Sequence, residues 1–177
     1  MSVFSASVIP QRSWPSLGNL FLQRVGELGC RTFLKVQRRG RFEDKSWRDI
    51  GEMVRSTVLG LHQLGMAKGD NVALLGDNSL PWLCADLGTL AGGLPNVVVA
   101  PTVSNRTLLK IFTHSRCRVV FIDLVDADRV LALKSQLPHL SHVIILTAMP
   151  KSLSVLFRLP SCWNRAGDVA SAKSITF

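Results

Sequence analysis

Apolar positions in the first half of the chain repeat with the period of a helix. Between residues 46 and 64 they recur every three or four positions, as one buried helix face requires; they are Trp47, Ile50, Met53, Val54, Val58, Leu61 and Leu64. Ser46 with Asp49 three residues later is a variant of the capping box, and Gly65 follows the last apolar position. The pattern therefore predicts a helix that begins at Trp47 and stops at Gly65.

From residue 71 onward, short apolar runs alternate with helical patterns. The runs are Asn71 to Leu75, Pro95 to Val99, Arg118 to Ile122 and His142 to Leu146. Helices are predicted between them, over residues 80–91, 104–114 and 126–137. Strands that are apolar on both faces and separated by helices form parallel sheets through right-handed crossovers. The predicted fold class is α/β, with a partial doubly wound parallel sheet and flanking helices.

A smaller structure is predicted ahead of this sheet. Ser16 to Leu28 has one apolar face and is followed by Gly29, a pattern typical of a short amphipathic helix. Two β-like runs, Thr32 to Val36 and Arg41 to Asp44, flank the turn residues Arg39 and Gly40. This arrangement favours a β-hairpin.

The βα pattern ends after Leu146, and the charge distribution changes at both ends of the chain. The formal net charge is +9. Residues 1–41 hold seven Lys and Arg against one acid, residues 42–147 hold ten against ten, and residues 148–177 hold four against one. We therefore expect a flexible basic N-terminus over 1–15, a domain over 16–147 and a loose tail over 148–177.

The location of the charge and the composition exclude several classes of protein. A nucleic-acid domain carries its charge on a folded face, so basic ends disfavour nucleic acid as a partner, whereas anionic lipid would attract them. With 47% hydrophobic residues the chain is not disordered overall, and no apolar run reaches the ~18 residues of a membrane span. The four scattered cysteines are typical of a reduced chain. We expect a cytoplasmic protein, in which contact peripheral to a membrane remains open.

The residues that follow the predicted strands form no recognised catalytic motif. Gly76 to Ser79 follows the first strand but is not G-x-G-x-x-G, and neither an NTPase P-loop nor a G-x-S-x-G elbow occurs. Asp123, Asp126 and Asp128 surround a strand end and a helix start, where helix-dipole and capping roles explain them. We predict no catalytic residue and no metal site.

Several pieces of the chain nevertheless occur in an order that resembles a known family. They are S-W-R at Ser46 to Arg48, L-G…K-G-D at Leu64 to Asp70, D-N-S…W at Asp77 to Trp82, A-P-T at Ala100 to Thr102, and runs from His114 and Gln136. Together, over about residues 16–147, they resemble the N-terminal region of AMP-forming acyl-CoA synthetases, the adenylate-forming superfamily. Long-chain fatty-acid–CoA ligases look most similar.

This resemblance implies substrates and a set of binding residues. Members of the family adenylate a fatty acid with ATP and Mg²⁺ and then join it to CoA. The resemblance points to Asn78, Trp82, Pro101 and Thr102 as substrate-binding candidates at strand ends and helix starts. The residues alone favour a helix cap for Asn78, and packing or turn roles for Trp82 and Pro101. Ala100 stands where the family often has an aromatic side chain.

The chemistry of the family depends on parts that this stretch does not contain. The phosphate loop with its lysine, the later adenylate motifs and the C-terminal domain lie downstream of the region that matches. The main hypothesis is therefore a truncated N-terminal part of a long-chain ligase, inactive and without a cofactor when alone. Two alternatives stay open: a non-catalytic module that binds an acyl chain or docks to a partner, and a basic adaptor for a membrane surface or a nucleic acid.

Overall fold

The structure is a computed structural model that describes residues 15–146 and the backbone of two short strands, 157–160 and 172–175. Its helices are α1 (Leu17–Leu28), α2 (Trp47–Gln63), α3 (Leu80–Ala91), α4 (Asn105–Ser115) and α5 (Ala127–Leu133). Its strands are β1 (Thr32–Arg38), β2 (Arg41–Ser46), β3 (Val72–Leu75), β4 (Asn96–Val99), β5 (Val119–Asp123), β6 (His142–Leu146), β7 (Phe157–Pro160) and β8 (Ala172–Ile175). Turns of 3-10 helix flank α5, at Leu124–Asp126 and Lys134–Gln136.

Six of these strands form one sheet in the order β4-β3-β5-β6-β7-β8. The first four strands in this order are parallel, while β7 runs antiparallel to both β6 and β8. β3 lies between β4 and β5, so that Leu75 pairs with Val99 on one side and with Ile122 on the other. The parallel sheet predicted from the apolar runs is confirmed.

Helices cover both faces of the parallel strands, which confirms the doubly wound arrangement. Leu74 and Phe121 point into a core shared with α1, α2 and α3. Their neighbours Leu75 and Ile122 point into a second core, shared with α4 and α5. Both faces of β3 and β5 are therefore buried, which is why these strands are continuous apolar runs instead of alternating ones.

The capping box predicted ahead of α2 is present. The Ser46 hydroxyl oxygen accepts the backbone N–H of Asp49 at 3.1 Å, and a carboxylate oxygen of Asp49 accepts the N–H of Ser46 at 2.9 Å. The second bond lowers the pKa of Asp49. The chain leaves the helix through Gly65, whose φ of +72° favours glycine.

The three helices on the first face pack so closely that glycines occupy their crossings. A Cβ at Gly88 of α3 would lie 2.5 Å from the Thr57 side chain of α2. A Cβ at Gly18 of α1 would lie 2.7 Å from the backbone of Ala91 in α3. These contacts fix the three helices against one another.

The structure differs from the sequence prediction mainly at the edges of elements. The helix predicted over 126–137 is divided into α5 and its two 3-10 turns, and both hairpin strands extend beyond their predicted ends. β7 and β8 lie within the predicted tail, most of which falls outside the described residues. The three predicted domain boundaries therefore stay predictions. No helix in the described part of the chain is both long enough and apolar enough to cross a bilayer.

Candidate functional site

The loops that could form a site lie together at the carboxyl edge of the parallel sheet. Because β3, β4 and β5 end in register at Leu75, Val99 and Ile122, the loops at 76–79, 100–104 and 123–126 leave the same edge. Doubly wound sheets bind ligands at this edge, where helices from adjacent strands diverge to opposite faces. Here α3 and α5 diverge in that way, after the neighbouring strands β3 and β5.

A hydrogen bond closes the gap between those two strand ends. A carboxylate oxygen of Asp123 accepts the backbone N–H of Asp77 at 2.8 Å. A Cβ at Gly76 would lie 2.7 Å from the same oxygen, so only glycine leaves room for the bond. Asp123 makes no side-chain cap bond to the 3-10 turn that follows it. The capping role predicted for this residue is therefore wrong, and its carboxylate joins two loops instead.

Arg129 of α5 fixes the loop that follows β4. Its guanidinium donates to the backbone oxygen of Pro101 at 2.7 Å, to the backbone oxygen of Val103, and to the side-chain oxygen of Asn105 at 2.6 Å. It also lies 3.3 Å from a carboxylate oxygen of Asp126. The two charged side chains are only 18% and 11% exposed. One planar donor thus holds two carbonyls of an irregular loop, a geometry that suits arginine better than lysine.

The role of Asp126 also differs from the prediction. It makes no side-chain cap bond to α5, although it stands at the N-cap position. Its carboxylate faces the Arg129 guanidinium, and the residue is only 8% exposed. A carboxylate buried to this extent needs a partner, and Arg129 supplies one.

All four predicted substrate-binding residues lie at the carboxyl edge. Asn78 is exposed in the loop before α3, but the N-cap of that helix is Ser79, whose hydroxyl oxygen accepts the N–H of Trp82 at 3.3 Å. The helix-cap role of Asn78 is therefore wrong. In the loop after β4, Pro101 is half-buried and Thr102 is exposed. Substrate contact by these residues remains a prediction.

Trp82 has an unusual environment among the four. It lies in the first turn of α3 and packs against the core under α1, α2 and α3, in line with its predicted packing role. Its indole N–H is buried, and no described residue accepts a hydrogen bond from it. A buried donor without an acceptor is costly, and this one lies in the first turn of α3, at the carboxyl edge.

The described residues do not fit a nucleotide with its metal ion. Asp77, Asp123 and Asp126 place three carboxylates at this edge, and Arg129 spends its donors on the chain's own acceptors. One amide at each start of α3 and α4 is already taken by the hydroxyl of the serine that caps the helix. Among the residues the structure describes, no three His, Cys, Asp or Glu side chains group to hold a metal. We derive no reaction step through ATP from these residues.

The buried thiols and the half-buried histidine lie away from this edge or are unreactive. Burial raises the pKa of the Cys84 thiol to about 12, so it stays protonated and is a poor nucleophile. Cys117 lines an apolar cavity of about 80 Å³ with Phe112 and Leu137, at the amino end of β5. His142 begins β6, and burial is the main cause that lowers its pKa. These groups contribute to packing, and no catalytic pair forms among them.

Sequence reasoning missed Arg129 and the contact between Gly76 and Asp123. The acceptors Pro101 and Val103 precede Arg129 by more than twenty-five residues, and no local pattern links them. Gly76 had a detectable signal, because a glycine directly after a buried strand often marks a close backbone approach.

Comparison with known proteins identifies the family. The AMP-binding enzyme family matches residues 25–164 of this chain. The long-chain-fatty-acid–CoA ligase ACSBG1 of Mus musculus is 27% identical over 134 residues, which cover 74% of this chain and 18% of the ligase. An uncharacterised protein of Mycobacterium tuberculosis is 29% identical over 115 residues, covering 65% of this chain and 64% of that protein.

A solved structure has the same fold. The N-terminal domain of FACL13 from Mycobacterium tuberculosis superposes with a TM-score of 0.68 and 20% identity, over 93% of this chain and 44% of that one. The chain spans less than a fifth of the length of the mouse ligase that it matches. Because the family match extends over most of the chain and includes the whole parallel sheet, this chain belongs to the AMP-binding enzyme family of adenylate-forming ligases.

Proposed function

We propose that this chain supplies the first α/β unit of a long-chain fatty-acid–CoA ligase. The observation that carries the proposal is the family match over residues 25–164, which contains β3 to β6 and all three loops of the carboxyl edge. The similarity to a mouse long-chain-fatty-acid–CoA ligase over 134 residues supports the choice of a fatty acid as substrate. In this proposal the fatty acid, ATP with Mg²⁺, and CoA are substrates of the longer enzyme.

The unit would act as a scaffold in that enzyme. Arg129 and Asp123 hold the loops after β4 and β3 in fixed conformations. Pro101 and Thr102 would then form part of a substrate-facing wall, with Asn78 and Trp82 at the start of α3 beside it. Preorganised loops of this kind position a substrate without taking part in bond formation.

The chemical groups for adenylation would come from elsewhere in the enzyme. Attack of a carboxylate on the ATP α-phosphate builds up negative charge, and removal of one preorganised donor typically costs about 3–4 kcal/mol. The 177 residues contain no glycine-rich phosphate loop, and the described carboxyl edge presents carboxylates. We therefore expect no adenylation by these 177 residues alone.

A chimera tests the proposal directly. Residues 16–147 of this chain would replace the corresponding segment of the mouse long-chain ligase, and palmitoyl-CoA formation would be measured with ATP and CoA. We expect the chimera to retain palmitate-dependent activity, because the family fold supplies the same sheet and loops.

The control for the chimera is the same graft carrying Arg129→Ala. We expect this variant to lose activity while the chimera still purifies as a folded protein. A folded chimera that shows no palmitate-dependent activity, although the parent ligase is active, would contradict the proposed function.

A second candidate function is a self-standing module without turnover. The Mycobacterium tuberculosis relative has a length comparable to this chain, since the match covers 65% of one and 64% of the other. Among the described strands, β4 also lies at the edge of the sheet with no strand on its outer side, and Val98 in it is 58% exposed. Such an edge suits docking to a partner.

Titration of the chain with a fluorescent long-chain fatty acid tests whether such a module binds an acyl chain. Saturable binding that palmitate displaces, without release of pyrophosphate from ATP, supports it. Fluorescence that rises linearly with ligand and is not displaced would reject it.

A further inference from the structure

The β1–β2 hairpin forms a two-stranded sheet of its own, separate from the six-stranded sheet. Its turn is Arg39–Gly40, with φ angles of +48° and +76°. Two consecutive positive φ values are the mark of a tight hairpin turn whose twist matches that of the strands. The tip of the hairpin is therefore a defined structure with a fixed register.

An aromatic cluster holds the base of this hairpin. The Phe33 and Trp47 rings have centroids 4.3 Å apart, and Phe21 of α1 lies 6.1 Å from Trp47. The backbone N–H of Trp47 also donates to the oxygen of Arg31 at 3.0 Å. Because the base is packed against α1 and α2, the hairpin presents its tip to solvent in one orientation.

Three arginines and one aromatic ring surround the tip. Arg38 and Arg41 are direct cross-strand partners, and Arg39 lies between them in the turn. Phe42, next to Arg41, is 68% exposed. The tip therefore combines exposed positive charge, on Arg39 and Arg41, with an exposed apolar ring.

Further along the hairpin the charges are matched. Lys35 pairs with Asp44 at 3.0 Å and Lys45 lies 3.8 Å from Glu43. Neither Arg39 nor Arg41 forms an ion pair with any residue in the described ranges. Within the described part of residues 1–41, Arg24 and Lys35 are ion-paired, whereas the tip exposes Arg39 and Arg41 on either side of Gly40.

We propose that this tip, with the exposed side chains of Arg39, Arg41 and Phe42, docks on the surface of an anionic lipid bilayer. Arginine binds phosphate groups with paired, charge-assisted hydrogen bonds. The ring of Phe42 enters the boundary between headgroups and acyl chains, where apolar burial adds to the electrostatic attraction. The proposal does not depend on the proposed ligase function.

The composition of the tip favours lipid over a nucleic acid. Sequence-tolerant binding of single strands relies on successive aromatic platforms on which bases stack. The residue opposite Phe42 is Gln37, and Phe42 is the only aromatic residue between Phe33 and Trp47. One ring next to three arginines fits a wedge into a membrane surface better than it fits a stacking surface.

Binding to vesicles tests the proposal. The whole chain would be incubated with phosphatidylcholine vesicles, with and without phosphatidylserine, and the bound fraction measured by flotation. We expect binding only to the phosphatidylserine vesicles, with a steep loss as salt increases. The double variant Arg39→Gln/Arg41→Gln should bind about thirtyfold more weakly, because each basic residue near the surface contributes about fivefold.

A matched control removes the same charge elsewhere. Arg55→Gln/Lys110→Gln changes two exposed side chains, on α2 and α4, and should leave binding within about threefold of that of the unmodified chain. Phe42→Ser should weaken binding about fivefold without changing its salt dependence. Thermal unfolding of each variant verifies that the protein, including the base of the hairpin, remains folded.

Three results would overturn the proposal. One is an unmodified chain that does not bind phosphatidylserine vesicles. Another is equal loss of binding in the tip variant and in the matched control, which would mean that only net charge matters. The third is a tip variant that keeps vesicle binding but loses affinity for a labelled single-stranded oligonucleotide, which would identify nucleic acid as the partner.

Discussion

The two edges of the parallel sheet each contain an arginine that reaches distant acceptors, but the segments that carry these acceptors differ in how regular their backbone is. At the amino edge, Arg118 donates to the Gly65 backbone oxygen at 3.2 Å and to Asp70 at 2.5 Å. It ties the tight turn before β3 to the start of β5. At the carboxyl edge, Arg129 holds the backbone oxygens of Pro101 and Val103, in an irregular loop.

The two arginines support different kinds of backbone: regular turns at the amino edge and an irregular loop at the carboxyl edge. The turns at the amino edge already have regular backbone bonds, for example Asp70 N–H to Ala67 oxygen at 2.9 Å. The loop at the carboxyl edge has a single long backbone bond of this kind, from Val103 to Ala100 at 3.3 Å. Its conformation therefore depends on Arg129. We expect changes at the carboxyl edge to alter loop order, and changes at the amino edge to alter stability alone.

The largest effect is expected from Arg129→Ala. It leaves two loop carbonyls and the buried Asp126 carboxylate without their donor, and should lower the free energy of unfolding by about 3 kcal/mol. Urea denaturation measures this loss, and hydrogen exchange should show faster exchange across residues 100–105. Arg129→Lys keeps the charge but loses the paired geometry, and should recover less than half of the loss. Unchanged exchange in this loop would remove the proposed role of Arg129.

Gly76→Ala should have the next largest effect. The new Cβ would displace the Asp123 carboxylate from the Asp77 N–H, at a cost of about 1–2 kcal/mol. In an Asp123→Ala background the same change should cost little, because the carboxylate that the Cβ would meet is absent. Urea denaturation of the two single variants and the double variant measures this coupling. Additive losses would show that the two residues act independently.

A smaller effect is expected from Arg118→Gln at the amino edge. Arg118 and Asp70 are 37% and 25% exposed, so loss of the pair should cost about 1 kcal/mol or less. Hydrogen exchange in the loop at 100–105 should stay as in the unmodified chain. Faster exchange there would mean that the two edges are coupled, and the contrast drawn between them would fail.

The pH dependence of stability should be the smallest difference between the edges. Burial, followed by the nearby charges of Arg118 and Lys134, lowers the pKa of His142 below its ordinary 6.5. The unfolded chain therefore binds a proton at His142 more readily than the folded chain does. The contribution of neutral His142 to the free energy of unfolding is complete above pH 6.5 and is lost as pH falls through the folded pKa. His142→Gln should flatten the unfolding free energy over this range in urea titrations at several pH values. An unchanged slope would contradict the assignment.

Asp70, at the same amino edge, should cause a second loss of stability at lower pH. The Ala67 N–H, and after it Arg118, lowers the pKa of Asp70 below its ordinary 3.8. Its contribution to stability is present above that value and is lost as pH falls further, and Asp70→Asn should remove it. Because the two groups titrate in different ranges, the two variants separate their contributions.

The sequence predicted the elements better than their contacts. The helix repeat from Trp47, its capping box and the four apolar runs depend on neighbours along the chain, and the structure confirms them. The order β4-β3-β5-β6 and the contacts of Arg129 depend on residues far apart in sequence, for which no local pattern exists.

The helix cap before α3 shows how a local prediction fails. Asn78 and Ser79 are both good capping residues, but a cap at Asn78 would place Pro81 at the third helical position. Proline has no N–H for the cap to accept, whereas a cap at Ser79 meets the N–H of Trp82. Pro81 therefore selects Ser79 over Asn78 as the cap, and this signal is present in the sequence.

We propose that the carboxyl edge formed by the described residues positions a substrate, and that the groups that handle ATP lie outside this chain. The most direct test is release of pyrophosphate by the purified chain in the presence of ATP, Mg²⁺ and palmitate. We expect no release above the background seen without palmitate. Sustained, palmitate-dependent release from a preparation free of other ligases would contradict the claim.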